Sequence, residues 1–83
     1  MLEVVNRDNI RSYAELIARD VLDVLNKPEH RRPEYSAAAA MQLRADVMKI
    51  VEKFAKERRL IFKGCTLEDL AIIAAFKAIA LRE

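Results

Sequence analysis

The chain has 83 residues, of which 53% are apolar and 34% are charged, and its net charge is +2. A chain of this length forms one domain around one small core, and its single cysteine excludes an internal disulfide. One glycine and two prolines are too few for the turns of an all-β fold. The abundance of Ala, Leu, Glu, Lys and Arg instead predicts a single helical domain over 1–83.

The first third of the chain predicts an N-terminal arm and one helix. Residues 1–7 are expected to form an irregular arm. Asp8 and Asn9 are good N-cap residues, and apolar side chains then recur at spacings of three and four, which is the pattern of an amphipathic helix. Pro28 disfavours a helical conformation at the residue before it. We therefore expect the first helix over about 9–26.

The segment 27–35 is polar, contains both prolines and lacks periodicity, so it predicts an interhelical loop. It holds the only histidine, His30, next to Arg31 and Arg32, with Tyr35 at its end. Two interpretations of these side chains are open. A solvated connector is the favoured one, and a contact with an anion or a partner is the alternative.

A second helix is predicted over about 34–63, because its apolar positions keep a helical register as far as Ile61 and Phe62. Gly64 follows, and a glycine just beyond a helix commonly takes the left-handed conformation that ends it. An alternative is a short strand over 60–62 that pairs with 2–5. This alternative makes the fold α+β instead of all-α.

The third helix is predicted over about 67–82. Thr66 is a good N-cap and Asp69 lies at the third helical position, which resembles a capping box with Asp in place of Glu. A stripe of small residues permits close approach of a neighbouring helix: Ala71, Ala75 and Ala78. We therefore expect a small three-helix bundle with the C-terminal helix at its centre.

The opposite side of the third helix is unusually apolar, because Lys77 is the only polar residue between Leu70 and Leu81. The predicted partner or dimer interface on that side consists of Ile73, Phe76, Lys77 and Ala80. This surface predicts a non-catalytic, regulatory protein that binds other proteins, most simply as a homodimer. Size and helical class are those of many small accessory proteins of phages and plasmids.

The alternative function is nucleic-acid binding. Basic residues recur at spacings of three and four along the predicted second helix, as in a stripe that follows phosphates. The stripe and the two loop arginines form the alternative site for a nucleic acid or an acidic partner: Lys49, Lys53, Lys56, Arg59, Lys63, Arg31 and Arg32. A solvated helix face is the simpler explanation of the same pattern.

Catalytic and ligand-binding patterns are missing from the sequence. It has no Gly-rich phosphate loop, and His30 and Cys65 alone provide no ligand pair at zinc spacing. We therefore expect no catalytic site, cofactor, bound metal or small-molecule substrate. One thiol suits a reducing cytoplasm, and neither a signal peptide nor an apolar run of ~20 residues is evident. The expected protein is cytoplasmic and does not associate with membranes.

Overall fold

The structure is a computed structural model that describes residues 2–30 and 36–82. Its elements in chain order are β1 (Glu3–Val5), α1 (Ile10–Leu25), a 3-10 turn (Pro28–His30), α2 (Ala37–Glu57), β2 (Leu60–Phe62) and α3 (Leu67–Arg82). The three predicted helices are confirmed, and the strand pair proposed as the alternative is present as well. Residues 31–35, which belong to the predicted loop, lie outside the described residues.

Two strand–helix units organise the fold. Strands β1 and β2 pair in parallel, with Glu3 opposite Leu60 and Val5 opposite Phe62. Each strand leads through four residues into a helix, β1 into α1 and β2 into α3. Because the strands are parallel and the connections equally long, α1 and α3 run in the same direction. Contacts at both ends agree, since Arg7 Nε donates to Gly64 O (2.9 Å) and Arg82 Nη2 donates to Leu25 O (3.2 Å).

Helix α2 is shorter than the sequence predicts, because it ends at Glu57 instead of near residue 63. Arg58 is its C-cap, and Arg59 takes the left-handed conformation (φ 53°) that the prediction assigned to Gly64. This turn directs the next residues into β2. Gly64 is also left-handed (φ 72°), but it lies in the connection between β2 and α3.

The turn after α2 is attached to β1 by an ion pair. Arg58 donates from Nε and Nη2 to the two carboxylate oxygens of Glu3, each at 3.0 Å. The guanidinium also lies over the rings of Tyr13 (5.7 Å) and Phe54 (5.4 Å), where cation–π attraction adds to the pair. The hydrogen bonds from Arg58 hold the pKa of Glu3 below its ordinary value.

Local capping follows the sequence closely at α3. Thr66 N donates to Asp69 Oδ2 (2.9 Å) and Asp69 N donates to Thr66 Oγ1 (3.2 Å), so the predicted capping box is confirmed. Ser36 accepts a hydrogen bond from Ala39 N at the start of α2. Asn9 precedes α1 without capping it, because its side-chain oxygen accepts a hydrogen bond from Asn6 N (2.8 Å) instead.

The core lies between α1, α3 and the inner side of α2. The most extensive helix contact is between α1 and α3, and α3 also packs on α2. Alanines allow the two parallel helices to approach closely, and the buried ones are Ala14, Ala18, Ala71, Ala74 and Ala78. Larger buried side chains fill the remaining space, notably Leu70, Val5, Val21 and Val51. Within the described residues, no helix has both the length and the apolar character needed to cross a bilayer.

Candidate interaction surface

The outer face of α3 carries a row of exposed apolar side chains. Ile72, Phe76 and Ile79 follow one another at one-turn spacing and are 54%, 68% and 43% exposed. Small residues contact α1 on the opposite face of the helix, and these three large side chains lie outside. We call these three residues the apolar row.

An apolar groove runs beside this row, between α2 and α3. It encloses about 490 Å³, and its lining residues are Leu25, Ala40, Leu43, Arg44, Val47, Met48, Glu68, Ala71, Ile72 and Ala75. Met41 lies on its α2 rim, because it precedes Arg44 by three residues and Met48 by seven, and it is itself exposed. Only Arg44 and Glu68 bring charge to the lining. Row and groove form one continuous apolar surface.

The structure separates the four residues predicted as an interface. Phe76 and Ala80 are exposed on the outer face of α3. Ile73 is only half-buried and packs against the core. Lys77 is directed to α1, where its Nζ donates to Glu15 Oε1 at 2.9 Å. The exposed apolar surface is therefore centred on the apolar row, one position away from the predicted centre.

Sequence reasoning missed the contribution of α2 to this surface. The helical pattern favours Met41 and Met48 as core residues. Met48 does pack against the core, where it also lines the groove, but Met41 is exposed. The helical pattern also places Ile72 and Ile79 together on one side of the small-residue stripe, which is expected to pack inward. The signal that identifies them is their spacing with Phe76, which places all three on one face of the helix.

The predicted basic stripe is only partly present. Lys49, Lys53 and Lys56 are exposed on α2, and Lys53 lies 3.9 Å from Glu57 in an exposed ion pair. Since α2 ends at Glu57, the two remaining members of the stripe are not on the helix. Arg59 lies in the turn and Lys63 follows β2. Arg31 and Arg32 lie outside the described residues.

His30 contacts α2. Its Nε2 lies 2.8 Å from Asp46 Oδ2, and its side chain is only 2% exposed. Gln42 Nε2 donates to the other oxygen of the same carboxylate at 3.0 Å, and Glu29 Oε1 is 3.9 Å from the imidazole. The hydrogen bond with His30 holds the pKa of Asp46 below its ordinary value. The histidine side chain of the predicted loop is therefore fixed against a helix.

Cys65 lies in the connection between β2 and α3 and is half-buried. Its thiol donates to Val5 O at 3.5 Å, which fastens this connection to β1.

No protein-family model matches the chain, and comparisons with characterised proteins and with solved structures give no match either.

Proposed function

We propose that this protein is a small non-catalytic interaction protein of a regulatory or accessory kind, which associates with itself through the apolar row and groove. The observation that supports this proposal is the exposure of Ile72, Phe76 and Ile79 in one line on α3. Scattered exposed apolar residues are ordinary on protein surfaces. A continuous apolar patch is typical of an interaction site.

A second copy of the chain is the partner that best fits the pattern. The apolar row is close to symmetric about Phe76, because Ile72 precedes it by about one helical turn and Ile79 follows it by about one turn. In an antiparallel pair of α3 helices with a two-fold axis at Phe76, ring meets ring and Ile72 meets Ile79.

The interface must include α2. A stable interface buries roughly 800 Å² on each partner, more than the three side chains of the apolar row supply. The groove walls next to the row, together with Met41 on the rim, enlarge the apolar surface on the α2 side. In the antiparallel arrangement the row of each copy is placed beside the groove of the other.

The test is the oligomeric state of matched variants. We expect the wild-type protein to be a dimer at tens of micromolar in size-exclusion chromatography with light scattering. Phe76→Glu places a charge at the two-fold axis in both copies and should give a folded monomer. Leu16→Glu is the control, because Leu16 is similarly exposed (58%) but lies on α1. A wild-type monomer, or loss of the dimer in both variants, contradicts the proposal.

Nucleic-acid binding is the alternative proposal. Its support is the line of three exposed lysines on α2, Lys49, Lys53 and Lys56. Three phosphate contacts predict weak binding that decreases with salt, with a slope of log affinity against log salt of about −3. Lys53→Glu combined with Lys56→Glu should abolish such binding to duplex DNA. The absence of any complex at low salt in a mobility-shift assay removes this alternative.

A further inference from the structure

We propose that Glu29, His30 and Asp46 form a binding site for a divalent transition-metal cation, with Zn²⁺ as the cation that suits it best. One potential ligand atom from each residue lies within 4.8 Å of the other two. The residues come from the 3-10 turn and from the middle of α2, so sequence spacing alone does not reveal the group. This proposal does not depend on the self-association proposed above.

The distances are close to those of a zinc site. Zinc binds imidazole nitrogen and carboxylate oxygen at about 2.0–2.2 Å, so two ligands in tetrahedral geometry lie about 3.4 Å apart. The separations of His30 Nε2 from Asp46 Oδ2 and Glu29 Oε1 are 2.8 Å and 3.9 Å, one below and one above that value. Small side-chain shifts therefore bring three ligands to one cation.

The surroundings also resemble a prepared site. The His30 side chain is almost fully buried and held in one place by its contact with α2. Gln42 donates to the Asp46 oxygen that does not face His30, and such hydrogen bonds orient ligating carboxylates. Glu29 and His30 also line a recess of about 450 Å³. Water from this recess completes the fourth position of a tetrahedral zinc ion.

The charge balance favours a divalent cation. A carboxylate only accepts hydrogen bonds, so Nε2 carries the proton in its contact with Asp46. A bound metal ion replaces that proton, which leaves to solvent. Two carboxylates and a neutral imidazole then compensate a charge of +2. Bound in this way, the cation joins the turn after α1 to α2 and stabilises the folded state.

The experiment titrates the purified, tag-free Cys65→Ser protein with zinc chloride, because a free thiol is itself a zinc ligand. His30 is the only histidine, so its imidazole ¹H–¹⁵N signals report ligation without ambiguity. We expect Nε2 to show the shift of a metal-bound nitrogen, with saturation at one equivalent. At a hundredfold excess over the dissociation constant, the melting temperature should rise by roughly 10–20 °C, and EDTA should reverse it.

Two variants complete the test. Glu29→Gln changes an exposed side chain and should leave the protein folded while weakening zinc binding at least tenfold. Glu52→Gln, an exposed acidic position elsewhere on α2, should bind zinc as before. Unchanged His30 signals at millimolar zinc overturn the proposal and leave His30 and Asp46 as a hydrogen-bonded pair only. Equal binding by Glu29→Gln and the parent protein overturns the ligand set.

Discussion

The close contact between α1 and α3 gives a prediction that bears directly on the apolar row. Ala74 is completely buried at this contact, with Ala71 and Ala78 on either side along α3. Ala74→Leu adds three carbon atoms where no space exists, and overpacking of this kind costs roughly 1–3 kcal/mol. Total stability for a chain of this length is on the order of 4–12 kcal/mol. The variant therefore loses a large fraction of its free energy of unfolding.

Urea unfolding followed by circular dichroism measures this loss. For a small domain with a slope of about 1–2 kcal/mol per molar urea, the midpoint should fall by roughly 1 M. Ala45→Leu is the matched control, because Ala45 is exposed on α2 and the two residue types have similar helix propensities. The same midpoint for Ala74→Leu and wild type refutes the close packing. Close packing of α1 on the alanines of α3 is the reason that the apolar row lies on the outer face, so this explanation of its exposure would then be wrong.

Three further predictions concern polar contacts. Because the pKa of Glu3 is lowered in the folded state, ionised Glu3 stabilises the fold above the ordinary pKa of 4.5, and this stabilisation is lost as the pH falls through the lowered pKa. Glu3→Gln should therefore reduce the fall of the urea midpoint between pH 7 and pH 3. Ser36→Ala removes the cap of α2 and should cost about 1 kcal/mol in urea unfolding, whereas Ser36→Asp should retain stability. Lys77→Ala breaks the pair with Glu15, and light scattering should give an unchanged oligomeric state because Lys77 is directed away from the apolar row.

Local sequence signals predict the helices well and the connection between α2 and α3 poorly. The periodic patterns and the Thr66–Asp69 capping box are features of neighbouring residues, and both are present in the structure. Residues 60–62 fit a helical register as well as a strand. What decides between the two is the pairing with 3–5, at the other end of the chain. Once Arg59 adopts its left-handed conformation, the strand forms and the helix cannot continue.

The predicted interface and the exposed apolar row lie on the same helix, α3, but they are rotated relative to each other about the helix axis. Lys77 is the only polar residue in the middle of α3, so the sequence suggests that it marks the solvent side. In the structure its partner is Glu15 on α1, which a single helix cannot reveal. The group around His30 escaped prediction for the same reason, because Asp46 approaches it only when α2 folds back along α1.

The two strand–helix units supply an internal comparison for the apolar row. Residues 57 positions apart correspond, as in Arg7 with Gly64 and Leu25 with Arg82. By this correspondence Ile72 matches Glu15 and Phe76 matches Arg19, and all four side chains are exposed, whereas Ile79 matches the buried Leu22. The positions that are apolar at Ile72 and Phe76 on α3 are therefore charged at the corresponding residues of α1. Charged side chains at two of these positions on α1 indicate that a strand–helix unit of this kind does not require apolar ones there, which supports the self-association proposed for the apolar row.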